Sequence, residues 1–305
     1  MTGVTRVLLL DGDIPKYTTA FACVDETEKW KVDWTAKSQM ESICDLSGCS
    51  HYLSFLTDSA SNFRNTRATT WPYKGTRESK ETPMWIPEIS EYYEDTYGFQ
   101  MMRGVEADDA LTIAAEYYRA KGIPVACATK DKDLKQYPWD LFVDLNSMTT
   151  YSITKEEAHR NLWRQMLIGD VAVDNIPGLS HAIKYETTVE GDNKKRGASD
   201  LLLGKVTADK YLDTWDPECY AANTLGLYLD YYEGNEGNTQ AVRDTCEDQG
   251  ISFGEYRYYE TFDLIWMLRE APKDLVIHYD HQVVPVKTAG LHSIKNEFTD
   301  ETEEF

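Results

Sequence analysis

The sequence predicts an α/β fold in which a parallel sheet occupies the first half and a mainly helical region follows. Three observations predict it. Short β-rich runs alternate with helical patterns: residues 5–10, 52–57, 124–128 and 141–143 are the strands, and 109–121 is an amphipathic helix. Acidic residues recur at the C-terminal ends of these runs or at helix starts, which is where open parallel sheets bind their ligands. From about Glu156 the pattern turns helical, with no convincing repeat.

In chain order, the first run ends in Asp11-Gly12-Asp13 and the second in Asp58. Residues 59–105 then make a long excursion of weak periodicity, carrying Trp71, Tyr73, Trp85, Tyr92 and Tyr93. The chain returns at Glu106, with Asp108 and Asp109 opening the amphipathic helix. Those two aspartates could be simple caps at the positive end of the helix dipole, but Glu106 adds a third carboxylate that capping does not require. After the next strand, Thr129-Lys130-Asp131-Lys132-Asp133-Leu134 is either a solvated loop or a ligand pair spaced i and i+2. A fifth acidic place is the stretch from Ile168 to Gly178, with Asp170 and Asp174. Like charges converging on one pocket repel and raise one another's pKa unless hard cations with oxygen ligands neutralise them, so the joint occurrence points to divalent metal.

Bulk properties bound the reading. A chain of 305 residues, 42% hydrophobic and 12% aromatic, holds one large or two ordinary domains with an ample core. No apolar run approaches the roughly 18–20 residues of a spanning helix, and the first ten residues lack a signal-peptide pattern, so a cytoplasmic protein without a membrane role is expected, in the host cytoplasm if viral. The six cysteines form no CxxC pair and are expected reduced. A formal charge of −21 argues against a broad polyanion binder, not against a local one. Any phosphate-binding surface must be assembled from Arg64, Arg67, Lys74 and Arg77, from Lys130, Lys132 and Lys135, and from Lys194, Lys195 and Arg196. Tyr73-Lys74-Gly75-Thr76-Arg77 combines a ring with two cations, suited to holding a phosphate beside a stacked base, or else is a surface salt-bridge pair.

Asp11-Gly12-Asp13 with Gly169-Asp170 also fits the haloacid-dehalogenase-type phosphatases, which leave Glu106, Asp108, Asp109, Asp131 and Asp133 unexplained. Taken in order, Leu9-Leu10-Asp11-Gly12, Thr57-Asp58 with Asn62-Phe63-Arg64, Tyr73 to Arg77, Val105 to Asp109, Ala128 to Leu134 and Gly169-Asp170 to Gly178 resemble the flap endonuclease and 5′→3′ exonuclease family, most of all its compact bacteriophage-type members. The resemblance spans residues 5 to about 204. It implies a PIN-like parallel-sheet nuclease domain over 1–165 with a helical arch at about 59–105, a helical DNA-binding region over 166–296 with a helix-hairpin (helix-3-turn-helix-like) module, and an acidic tail at 297–305.

It also implies two Mg²⁺ or Mn²⁺ ions held by Asp11, Asp58, Glu106, Asp108, Asp131 and Asp133, with Asp109, Asp170 and Asp174 completing the acidic set, and a monovalent cation at the hairpin. Lys74 and Arg77 match basic residues that contact the scissile phosphate, with Asp11 and Asp58 as catalytic carboxylates. Tyr73 would stack near the displaced nucleotide, and Arg64, Arg67, Lys194, Lys195 and Arg196 complete the DNA contacts. The implied partners are DNA with free, flapped or nicked 5′ ends, RNA–DNA hybrids, and a polymerase or single-strand-binding protein. A non-catalytic relative that only binds branched DNA is the remaining alternative.

Three departures stand out. Asp174 lies four residues after Asp170 where the family has three, the gap between Phe63-Arg64 and Tyr73 is longer, so that Arg64 and Arg67 rival Lys74 and Arg77, and residues 179–192 replace the usual short glycine turn with a longer loop.

Overall fold

The structure, a computed structural model, describes residues 6–75, 81–179, 203–280 and 282–283. Its centre is a sheet in the order β3-β2-β1-β4-β5-β6. β1 (Val7–Asp11) is buried along its whole length, as a strand covered on both faces must be. It pairs in parallel with β2 (His51–Asn62) on one side and β4 (Val125–Thr129) on the other. β3 (Gln100–Gly104) extends the parallel sheet beyond β2, and β5 (Trp139–Asp144) beyond β4.

Besides three two-residue strands, two five-residue strands escaped the sequence reading. β6 (Thr149–Ile153) runs antiparallel to β5, so the sheet is mixed, not wholly parallel. It is an exposed edge strand with no apolar alternation to betray it, and β3 likewise mixes polar with apolar residues. The excursion expected over 59–105 is also shorter, because β2 runs on to Asn62 and the chain is back in the sheet at Gln100.

Successive side chains of β1 point to opposite faces, which splits the core in two. Val7 and Leu9, with Leu53, Phe55, Val125 and Cys127, pack on α5 (Ala107–Ala120) through Ala110, Leu111 and Ala114. Leu8 and Leu10, with Leu56, Ala126 and Ala128, pack on α1 (Asp13–Ala22), α2 (Lys29–Ser47) and α4 (Ile86–Tyr97) through Ala20, Val32, Met40 and Tyr93. Each fully buried leucine here stabilises the fold by about 1.5–3 kcal/mol.

After β6, Thr154 and Glu157 close a capping box that starts α6 (Lys155–Ile168). A two-residue antiparallel ladder of β7 (Gly169–Asp170) and β8 (Ile176–Pro177) follows. α7 (Lys205–Thr214), α8 (Tyr220–Tyr231), α9 (Gln240–Gln249) and α10 (Phe253–Ile265) complete a third core around Leu162, Met166, Ile176, Leu212, Tyr228 and Phe253. β9 (Gln282–Val283) returns to pair antiparallel with the start of β2. The expected helix at 193–203 falls almost wholly outside the described residues, as do Lys194, Lys195, Arg196 and the acidic tail. Among the described residues, no helix is long and apolar enough to cross a membrane.

Candidate metal centre

Parallel register sets the site. Leu10 lies level with Ala128, so Asp11 and Thr129 emerge together at the carboxyl ends of β1 and β4, the point where the strand order reverses. Asp11 is buried and accepts hydrogen bonds from Thr129 Oγ1 at 2.7 Å and from the backbone N–H of Asp13 at 3.2 Å. Its carboxyl is pushed up to about 8, first by burial and then by the charges of Asp13 and Asp131. The next residue must be glycine, since a Cβ on Gly12 would lie 2.5 Å from the carbonyl oxygen of Phe55.

Asp108 joins from the first turn of α5. Burial, then Asp11, Asp131 and Glu106, hold its carboxyl well above the usual range. Asp131 is raised too, mainly by burial, although the N–H of Asp133 and the ammoniums of Lys74 and Lys132 pull the other way. Glu106 differs: burial would raise it, but Lys74 and Arg64 outweigh burial and hold it below the ordinary value. It accepts from Tyr73 Oη at 2.7 Å and is ion-paired with Lys74.

A second acidic group lies alongside. Asp133, Asp170 and Asp174 are all buried and each offers a carboxylate oxygen within 4.8 Å of the others. The two groups are joined where Asp131 accepts the N–H of Asp133 at 2.8 Å. Asp170 and Asp174 meet because β7 and β8 pair so closely that a Cβ on Gly178 would sit 2.3 Å from the Gly169 nitrogen. The four-residue spacing is absorbed in the turn between them, where Asp174 N–H donates to Asp170 O at 3.2 Å and Asn175 takes a left-handed φ of 57°. Lys132 pairs with Asp170 at 2.8 Å, and Gln165 on α6 donates to Asp133.

Lys74 sits between the groups. Its backbone takes a φ of 54°, a strained value for a side chain of this size, and is held there by its N–H bond to Asp174 O at 2.8 Å. Asn175 Nδ2 donates to Pro72 O at 2.8 Å, stapling the same segment to the same turn.

The other sequence-selected residues make different contacts, although Arg64 Nη1 also reaches Glu106 Oε2 at 3.4 Å. Arg64 has no exposed side-chain surface and forks onto Asp109, with Nη1 at 2.5 Å and Nη2 at 2.9 Å from its two oxygens. Arg64 also donates to the carbonyls of Leu264 and Trp266 at 2.9 Å each. This pair is an internal strut between α3 (Phe63–Arg67), α5 and α10, and presents neither a DNA-facing cation nor a free carboxylate. Arg67 pairs with Asp263 at 2.5 Å, half-exposed. Asp58 is also half-exposed; it accepts from Ala60 N–H at 3.1 Å and Ser61 Oγ at 3.3 Å, with Arg103 Nε 3.8 Å away. Arg77 lies outside the described residues.

Lys132, a candidate phosphate contact in the sequence, pairs with Asp170 instead, and Thr129 and Gln165 are contacts of the acidic groups that the sequence reading did not place in the site. Thr129 was findable as the last residue of a buried strand. Gln165 touches Asp133 across 32 positions and leaves no local signal.

No protein-family model matches the sequence, and no curated protein matches it. Solved structures do. The D15 protein of bacteriophage T5, co-crystallised with metal ions, aligns at a TM-score of 0.50 and 16% identity, over 85% of this chain and 89% of that one. A bacteriophage T5 5′-exonuclease with bound zinc aligns at 0.45 and 17%, over 86% and 100%. A flap endonuclease from the same phage in complex with DNA and metal ions aligns at 0.44 and 15%, over 85% and 99%. With the mostly parallel sheet flanked by helices and the acidic groups at its carboxyl edge, the chain has the α/β fold of the phage T5 D15 protein.

Proposed function

We propose that the protein is a metal-dependent 5′ nuclease that hydrolyses phosphodiester bonds at free, flapped or nicked 5′ ends of DNA, and of RNA in RNA–DNA hybrids, during replication or repair. The observation that carries this reading is the meeting of two buried carboxylate groups at Asp131 and Asp133, with Lys74 fixed between them.

The donor set fits hard divalent cations such as Mg²⁺ or Mn²⁺. Every candidate ligand is a carboxylate, and burial with mutual repulsion raises Asp11, Asp108 and Asp133, a cost that a cation would relieve. Asp11, Glu106, Asp108 and Asp131 would hold one ion, and Asp133, Asp170 and Asp174 a second. Bound there, such ions lower the pKa of water and stabilise charge on phosphodiester oxygens.

The chain's own groups supply the rest. Thr129 holds Asp11 through its hydroxyl, and Tyr73 fixes one oxygen of Glu106. The Lys74 ammonium neutralises charge that builds on the phosphate as the bond breaks. Arg77 is proposed to share that role on the strength of its sequence position. The terminal nucleotide must unpair to reach buried carboxylates, at a cost of a few kcal/mol by analogy with flipped bases, so frayed or flapped ends are favoured.

The test is product analysis on 5′-labelled flap, nicked and RNA-primed duplexes, each with Mg²⁺, with Mn²⁺ and with EDTA. Metal-dependent release of short 5′ products is expected. Absence of cleavage on all three, with turnover of a simple phosphomonoester, would replace the nuclease by a phosphatase.

A further inference from the structure

The segment that carries Lys74 is held along its length by one helix. As the chain advances from Arg64, its partners step back along α10: Arg64 meets Leu264, Arg67 meets Asp263, Thr69 and Thr70 meet Glu260, and Trp71 meets Arg257. Glu260 and Arg257 stand out among these partners, because both are buried and form an ion pair inside the helical core.

Glu260 clamps the loop. Its Oε1 accepts the N–H groups of Thr69 and Thr70 at 2.6 and 2.9 Å and the Thr69 hydroxyl at 2.9 Å, while Oε2 accepts the Thr70 hydroxyl. Burial would raise this carboxyl, but Arg257 and the donors of Thr70 and Thr69 outweigh burial and hold it below the ordinary value.

Arg257 connects that clamp to the turn that bears two of the acids. Nη1 donates to Glu260, and Nη2 donates to the carbonyl oxygen of Pro177 at 2.8 Å and to Thr261 Oγ1 at 3.2 Å. Pro177 belongs to β8, whose pairing with β7 closes the turn of Asp170 and Asp174. From the other side, Lys74 N–H donates to Asp174 O and Asn175 Nδ2 donates to Pro72 O. The contacts therefore close a ring that runs from α10 through Thr69 and Thr70 to Lys74, across to Asp174, on to Pro177 and back to α10.

Stability alone does not account for the pair. Taking two charges out of water offsets most of their attraction, and apolar replacements of buried pairs are often neutral. Among the described residues, Arg257 Nε also has no hydrogen-bond partner, which adds to the cost. What the pair supplies is fixed geometry, since a planar guanidinium reaches Glu260 and Pro177 O at once.

We propose that Arg257 and Glu260 are positioning residues that hold Lys74, Asp170 and Asp174 as one unit, setting the loop-borne carboxylates for a divalent ion. The inference rests on the nuclease reading for the role of Lys74, but its deciding readout is metal affinity. The test uses the double variant Arg257→Met/Glu260→Gln, which leaves no charge buried alone. Glutamine keeps an acceptor for the Thr69 and Thr70 N–H groups, and methionine fills the volume of the arginine stem, but nothing then holds Pro177 O. Urea unfolding in EDTA should give a midpoint close to that of the unmodified protein. A Mn²⁺ titration read by electron paramagnetic resonance should show one site weakened about 10–100-fold. On the flap substrate at saturating Mn²⁺, kcat should fall at least about tenfold while KM stays within about twofold.

A folded double variant that binds Mn²⁺ within about threefold of the unmodified protein would overturn the proposal, whatever its kcat. If the double variant does not fold, Arg257→Lys takes its place, because a single ammonium keeps the charge beside Glu260 without the fork to Pro177 O. The same weakening is then expected, and unaltered Mn²⁺ binding would overturn the proposal. Absence of cleavage by an unmodified protein that still binds Mn²⁺ would remove the nuclease reading alone.

Discussion

The two acidic groups are built in different ways. The group of Asp11, Glu106, Asp108 and Asp131 stands on the sheet: two strand ends and one helix start supply it, each within a few residues of a buried run. The group of Asp133, Asp170 and Asp174 stands partly on a turn closed by a two-residue ladder and held by Lys132 and Gln165. The first group is therefore stiff and strongly self-repelling, whereas the second is assembled by contacts from α6 and the loop after it. Metal chemistry needs both, but they should fail differently.

The sharpest break is at the residue shared by the two groups. Asp131→Asn removes a carboxylate flanked by both groups while leaving its amide able to accept the Asp133 N–H. Metal-dependent cleavage should fall about 10³-fold or more, since charge stabilisation at the reacting phosphate is lost. Steady-state kinetics on the flap substrate would show it, and a loss under tenfold would separate the groups functionally.

Neighbouring aspartates offer the next break. Asp109 is fully buried in its fork with Arg64 and also accepts the N–H of Leu268 at 3.0 Å, whereas Asp108 faces like charges. Arg64→Met should destabilise the fold by about 3–5 kcal/mol by leaving the Asp109 charge buried and unpaired. Asp108→Asn should leave the stability of the metal-free protein unchanged or raise it. Urea unfolding of both variants in EDTA is the check, and equal losses would erase the distinction.

Acidity offers a third, milder break. Asp11 titrates at about 8 in the folded chain but near the ordinary carboxylate value when unfolded. Between those values the folded state binds the extra proton, so the stability of the metal-free protein should fall as pH rises from about 4 to about 8. A cation relieves the repulsion, so Mn²⁺ should raise Tm more at pH 8 than at pH 5. A Tm gain that is independent of pH would remove Asp11 from the binding set.

These contrasts track what could be read from the sequence. The sheet-borne group was legible because each member ends a continuous apolar run or starts an amphipathic helix, so local pattern and charge coincide at one place. The adjacent roles of Asp108 and Asp109 were not legible: both are first-turn acids, and only the packing of α3 and α10 against α5 brings Arg64 to one of them. Arg64 itself looked like a phosphate contact because composition does not reveal burial. Asp174 seemed out of register at four residues from Asp170, yet the left-handed Asn175 and the close pairing of Gly169 with Gly178 restore it. β3 and β6 were missed because edge strands lack the apolar repeat that a buried strand shows.

The smallest effect is expected at Gln165, which donates to Asp133 while accepting from Gln136 Nε2 at 3.4 Å; Gln136 Oε1 in turn accepts the Met267 N–H at 3.2 Å. This chain ties the orientation of a carboxylate in the loop-borne group to the helical core, the place where that group is least rigid. Partners of this kind typically alter metal affinity by about 10–100-fold when removed. Gln165→Ala should therefore raise the Mn²⁺ concentration needed for half-maximal cleavage within that range. The affinity for a flap duplex in EDTA should stay within about twofold, and Gln165→Glu should not rescue metal affinity, because a carboxylate cannot donate to Asp133. A shift in DNA affinity without a shift in metal dependence would mean that Gln165 supports the helical region and not the ligand.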